Sequence, residues 1–274
     1  MSLLKVRNLR TSFFTDAGEV KAVNDTSFDV EPGQVLGIVG ESGSGKSVTA
    51  YSIMQILSHP GRIVSGSIKL RGRELVGCDE KTISSIRGNV ISMIFQDPMT
   101  SLNPVFTIGN QLEEAILLHT GRTKEEAAAR AVEMLELVGI NEPEKRVKQY
   151  PHELSGGMRQ RVALIRTLAT GPDILLLDEA FSALDYQTRL NVTDDVYRIL
   201  KREQVTTLMV THDIPESISM GDKILVLSAR PAQVKEILSV DFGPGRSPLS
   251  CRANRQFSPY FDHIWKELST DEKS

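Results

Sequence analysis

Eight consecutive residues, Gly40-Glu41-Ser42-Gly43-Ser44-Gly45-Lys46-Ser47, read G-x-x-x-x-G-K-S directly after the apolar run Val-Leu-Gly-Ile-Val at 35–39. That run has the length and β-branched content of a buried parallel strand. The glycines let the backbone turn tightly enough to aim successive N–H groups at phosphate oxygens. A helix starting near Gly45 adds its positive dipole end. Lys46 is then placed to reach the β- and γ-phosphates, and the Ser47 hydroxyl to ligate Mg²⁺. Apolar residues at helical spacing follow (Val48, Tyr51, Ile53, Met54, Ile56, Leu57), so the strand–loop–helix context is complete. A glycine-rich turn with a chance lysine would lack that context. Residues 40–48 therefore predict a bound nucleoside triphosphate.

Around this motif, apolar runs at 35–39, 90–95, 174–177, 207–210 and 224–227 alternate with helical patterns. Such alternation predicts an α/β fold whose mostly parallel sheet is covered on both faces. Residues 3–9, 22–30 and 67–70 are more alternating, with turns at 16–18 and 31–33, which suits a small N-terminal antiparallel sheet. Between residues 110 and 169 strand signals give way to helix signals. Thr123-Lys124-Glu125-Glu126 is a capping box, Ala128, Ala131, Val132 and Leu135 follow on one face, and Gly139 supplies a stop. The reading is a nucleotide-binding domain over residues 1–240, with a helical subdomain at about 97–169 inserted into it. A tail over 241–274 carries the stripe Phe261, Ile264, Trp265, Leu268 of a helix docked on the core.

Bulk properties narrow the function. A net charge of −3 gives no electrostatic reason for a nucleic-acid partner. No run approaches the ~20 apolar residues of a membrane span, and the first residues form no signal-peptide apolar region. Cys78 and Cys251 make no metal spacing, so a reducing compartment is expected. Attachment to a membrane would have to come through a partner.

Two further motifs complete the nucleotide machinery. Ile174-Leu175-Leu176-Leu177-Asp178-Glu179 is an apolar strand ending in two carboxylates. Asp178 suits the Mg²⁺ shell, and Glu179 suits orienting or deprotonating an attacking water. Leu154-Ser155-Gly156-Gly157-Met158-Arg159-Gln160 opens a long apolar helix and offers a second N-terminus with exposed N–H donors. A chain with its own phosphate loop has no need of another, so Ser155, Gly156 and Gly157 are read as serving nucleotide held by a second copy or partner.

Together these motifs resemble the ATP-binding-cassette (ABC) ATPases over about residues 3–227. The resemblance implies that Phe13 stacks on adenine and that Gln96 touches Mg²⁺ or water and links to a transmembrane subunit. It also implies that Asp185, in Ser182-Ala183-Leu184-Asp185, lies on a loop crossing the dimer interface, and that His212 contacts the γ-phosphate. Ala180 stands where these ATPases usually have proline. Met93–Pro104 and residues 61–66 resemble oligopeptide, dipeptide and nickel importer ATPases. Residues 150–274 are similar instead to nitrate, sulfonate and taurine importer ATPases, in 176–189, 210–218 and 227–237. The family implies an ATPase of a prokaryotic importer at the cytoplasmic membrane face. Its partners would be a second ATPase subunit, transmembrane permease subunits and, indirectly, an extracytoplasmic solute-binding protein. The expectation leans to a peptide- or nickel-type permease, for which Met99, Leu102 and Phe106 are either the anchor points or core of the helical subdomain. The other importer class, and a soluble ABC ATPase of repair or translation, are the competing readings.

Overall fold

The computed structural model describes residues 2–96 and 101–269. The chain divides into two compact units, one made of the residues up to 85 together with those from 206 onward, the other of residues 86–205.

In the first unit, Leu4–Thr15 pairs antiparallel with both Gly18–Val30 and Gly61–Leu70. Leu4 and Val6 point into the core, but strict alternation would bury Asn8 next. Asn8 instead takes a positive φ of 49° and donates its side-chain amide to Asp25 at 2.8 Å. The register shifts between Val6 and Leu9, so that Leu9 is the next buried residue. This irregularity keeps an amide out of the core at the cost of one ladder position. The strands Leu4–Thr15, Gly18–Val30 and Gly61–Leu70 run past the limits that their alternation suggests.

Beside this sheet, Val35–Val39 is buried at every position and runs parallel to both Thr206–Val210 and Lys223–Leu227. A strand missed in the sequence, Val234–Ser239, adds antiparallel to Lys223–Leu227. Its half-exposed, charge-bearing pattern (Lys235, Glu236) hid it from a search for buried apolar runs. The helix after the phosphate loop spans Lys46–Met54, shorter than its apolar pattern predicted. Gln55 enters the left-handed region, and the Ile56 N–H closes back on the Tyr51 carbonyl at 3.0 Å. Ile56 and Leu57 thus fall beyond the helix.

The C-terminal helix Phe257–Ser269 packs as its stripe predicted, with one exception. Ile264 is fully buried among Val39, Ile214, Ile218, Ile224, Val226 and Val240, and Phe261 and Leu268 lean on the same cluster. Trp265 does not join them: it is 58% exposed and stacks on Phe261 at 6.1 Å between ring centroids.

The second unit holds the parallel pair Ile91–Ile94 and Ile174–Asp178 and the helices Ile108–Thr120, Lys124–Leu137 and Gly156–Leu168. The capping box forms as read: Thr123 Oγ1 accepts from the Glu126 N–H, and Glu126 Oε2 accepts from the Thr123 N–H at 2.8 Å. The buried face of that helix is Ala127, Ala131, Met134 and Leu135, rotated from the predicted one, with Ala128 and Val132 only half-buried. Gly139 is the stop, with φ of 65° and its N–H on the Glu136 carbonyl. Buried Gln111 spends its amide on the 103–107 segment, donating to the Asn103 and Phe106 carbonyls at 2.9 Å each and accepting from the Asn103 N–H. Leu102 is buried, whereas Phe106 is half-exposed. Of the two readings of these residues, burial assigns Leu102 to the core and leaves Phe106 at the surface; Met99 lies outside the described residues.

Candidate nucleotide site

Residues 40–45 leave the buried strand Val35–Val39 and deliver the chain into the helix Lys46–Met54. The loop has no room for side chains at its ends. A Cβ on Gly40 would come within 2.6 Å of Ser44 Oγ, and one on Gly45 within 2.4 Å of the Ala22 carbonyl. Gly43 and Gly45 adopt φ of 76° and 93°, where a side chain is also strained. Glu41 and Ser44 close a turn through the Ser44 N–H and Glu41 carbonyl at 3.1 Å.

Lys46 is buried, and its ammonium donates to the carbonyls of Gly40 and Glu41 at 2.9 and 2.8 Å. A cation held on the loop's own carbonyls is placed at the loop without a cost in unmatched burial. Ser44 Oγ is buried with no hydrogen-bond partner among the described residues. An orphaned hydroxyl, a buried ammonium and a glycine cradle fit a polyphosphate, whose oxygens accept from all of them. Ser47 and Val48 are half-buried on the first turn of the helix.

The Gly45 geometry carries a prediction. Gly45→Ala combines a left-handed φ with a backbone clash that no rotamer relieves. Unfolding should show a loss of about 1–3 kcal/mol. The midpoint shift that ATP gives the wild-type chain should shrink or vanish.

Two other residues assigned to the site belong to this first unit. Phe13, on Leu4–Thr15, is half-buried and pairs across the sheet with Val20 and Gly61. His212 is exposed just beyond Thr206–Val210, beside Thr211, whose hydroxyl accepts from the Asp213 N–H at 3.0 Å. Asp213 in turn caps the short helix Ile214–Met220.

The second unit holds the remaining assigned residues. Asp178 is the buried last residue of Ile174–Asp178. Glu179 follows it with φ of 48°, a left-handed backbone rare for a residue with a side chain. Ser182 holds that bend by donating its N–H and hydroxyl to the Glu179 carbonyl at 3.0 and 2.8 Å. Such strain, stabilised by its surroundings, is characteristic of functional positions. The Glu179 carboxylate meets the Gln96 amide at 3.4 Å, so the structure brings together two residues 83 positions apart.

Ser155 is exposed and caps Gly156–Leu168, accepting from the Met158 N–H. A Cβ on Gly156 would meet nothing within 4 Å and one on Gly157 only a Thr188 methyl, so this helix end is open. From the same helix, buried Gln160 donates to the Ala180 carbonyl at 3.2 Å and ties it to the Asp178–Glu179 bend. No local pattern in the sequence marks Gln160 for this tie, which appears only in the fold. Asp185 caps Tyr186–Arg202, accepting from the Thr188 N–H at 3.1 Å, and its bond to Thr188 holds its carboxyl below the usual aspartate range.

A buried parallel strand feeding a glycine cradle and helix, with an aliphatic strand ending in Asp-Glu, defines a P-loop nucleotide triphosphatase. The family model described as "ABC transporter" matches residues 23–182, more than half of the chain. The chain therefore belongs to the ABC transporter family, as an ATPase cassette. It is 44% identical over 240 residues to the oligopeptide transport ATP-binding protein OppD of Bacillus subtilis (strain 168), a match covering 87% of this chain and 66% of that protein. It is 45% identical over 227 residues to OppD of Salmonella typhimurium (strain LT2), covering 83% and 68%. The chain thus spans about two thirds of the length of these curated relatives. The dimeric post-hydrolysis structure of the ATP-binding cassette MJ0796 bound to ADP and Pi superposes with a TM-score of 0.73 at 25% identity, over 88% of this chain and all of that one.

These matches bear on the two-part resemblance. An alignment over 240 residues runs far past residue 150, so likeness to the oligopeptide class is not confined to the first half. The nitrate, sulfonate and taurine alternative is not favoured.

Proposed function

We propose that this chain is the ATP-hydrolysing subunit of a peptide importer, acting at the cytoplasmic face of the membrane beneath a transmembrane permease. The observation that carries the peptide assignment is the extent of the likeness to oligopeptide transport ATP-binding proteins, over 87% of the chain. No helix among the described residues is long and apolar enough to cross a membrane, so in this reading contact with the bilayer comes through the permease. An extracytoplasmic solute-binding protein would deliver the peptide.

In the proposed site the loop 40–47 cradles the triphosphate, with Lys46 as the charge partner, and Phe13 stacks on the base. Mg²⁺, ligated by Ser47, Asp178 and Gln96, would neutralise charge on the phosphate oxygens. Glu179 orients the attacking water and takes its proton, with the Gln96 amide holding its carboxylate. His212 contacts the γ-phosphate. Ser155, Gly156 and Gly157 cap the γ-phosphate held by a second cassette. The exposed helix end at Gly156 supports this reading, since no described residue comes within 4 Å of a Cβ placed there.

Co-purification with permeases tests the partner. A peptide-type permease should retain the chain and a nitrate-type one should not. Phe106, half-exposed and lining a small hollow with Asn110, Gln111 and Glu114, is the docking residue to change, because buried Leu102 would report on folding instead. Phe106→Asp should cut retention about ten-fold or more, the loss of one apolar anchor. Retention by the nitrate-type permease, unaffected by Phe106→Asp, would reverse the assignment.

A further inference from the structure

The turn joining Lys223–Leu227 to Val234–Ser239 lies along the outside of the phosphate loop and meets each of its glycines in step. A Cβ on Gly40 would lie 3.3 Å from Leu227, one on Gly43 3.2 Å from Arg230 Nη2, and one on Gly45 3.0 Å from the Ala232 methyl. The turn is itself held firmly. The Ser228 N–H donates to the Gln233 carbonyl at 2.9 Å, the Ala232 N–H to the Ala22 carbonyl at 3.0 Å, and the Ala232 carbonyl accepts from the Asn24 N–H at 2.8 Å.

Within this turn Arg230 makes a polar contact with the loop: its Nε donates to the Gly43 carbonyl at 3.2 Å. A peptide unit is planar, so holding its carbonyl also sets the direction of the following N–H. The Ser44 N–H is held in its turn on the Glu41 carbonyl at 3.1 Å. The Gly43–Ser44 peptide is thus fixed at both ends, in the one part of the loop where neither residue 42 nor 43 is buried. Gly43 would otherwise be the loop's loosest joint, since glycine has the most backbone freedom to lose.

We propose that Arg230 is a positioning residue for the triphosphate: by pinning the Gly43 carbonyl it presets the phosphate loop and lowers the ordering cost of nucleotide binding. The inference rests on the reading of residues 40–47 as an ATP site. Preorganisation of this kind favours ground state and transition state alike, so it acts on KM and leaves kcat in place. It acts on the phosphate cradle and not on the base, so ATP, GTP and inorganic triphosphate should feel it equally. Arg230 is exposed, which keeps the expected effect to that of one solvent-screened hydrogen bond.

The test is equilibrium binding and steady-state hydrolysis with the full chain, comparing wild type, Arg230→Ala, Arg230→Lys and Lys46→Ala. Arg230→Ala should raise Kd and KM about three- to ten-fold, with kcat within about two-fold and the thermal midpoint unchanged, the scale of one such bond. The loss should be the same for all three triphosphates, and Arg230→Lys, which keeps a cationic donor, should recover part of it. Unchanged Kd in Arg230→Ala while Lys46→Ala binds poorly would overturn the role of Arg230 and leave the ATP site standing. A fall in kcat with a lowered thermal midpoint would also overturn it, by making Arg230 a part of the fold alone. Failure of the wild-type chain to bind any triphosphate would remove the ATP reading, and this inference with it.

Discussion

Lys46→Ala should lower ATP turnover about a hundred-fold or more, the usual cost of removing one preorganised donor from a transferring phosphoryl group. The side chain is buried, and its ammonium already sits on the carbonyls of Gly40 and Glu41. Its charge therefore requires little reorganisation to meet a phosphate. Truncation removes the charge and also leaves those carbonyls without this donor, so nucleotide binding should weaken together with turnover. Isothermal titration with ATP and a phosphate-release assay separate the two effects. Normal affinity combined with normal turnover would remove Lys46 from the site.

Glu179→Gln should have an equally large effect on hydrolysis and a different one on binding. The side chain keeps its shape and can still meet the Gln96 amide, which lies 3.4 Å from the carboxylate. What disappears is the carboxylate proposed to orient water and accept its proton, a contribution of about a hundred-fold or more. ATP should therefore bind and remain uncleaved, and size exclusion with ATP should show a persistent dimer. Adding Ser155→Arg should abolish that dimer, because the open helix end at Ser155 is where the second cassette's γ-phosphate is proposed to lie.

Much of the local geometry of this candidate site was legible in the sequence because glycine turns and helix caps obey local rules. Only glycine tolerates φ of 93° beside a carbonyl at the Gly45 position. The capping box at Thr123 and Glu126 is a contact between residues three apart, so its letters were sufficient. The features that were missed depend on contacts distant in sequence or on competition at element ends. The apolar pattern through Ile56 and Leu57 predicted a longer helix, but a left-handed Gln55 ended it at Met54. Residue type leaves Leu102 open between surface anchor and core, which burial in the fold decides, and the apolar stripe includes Trp265, which the helix turns outward. The left-handed backbone at Glu179, held by Ser182, has no signature in residue type. Neither does the tie from Gln160 to Ala180, nor the reach of Arg230 across 187 positions to Gly43.

The proposed ATP turnover rests on Glu179 as the water-orienting base. Phosphate release from ATP, measured for wild type and Glu179→Gln side by side in Mg²⁺ and in excess chelator, tests it most directly. Release by the wild-type chain in Mg²⁺ should disappear both with chelator and in Glu179→Gln, while Glu179→Gln still binds ATP. No release above the protein-free blank, or equal release by the two proteins, would contradict it.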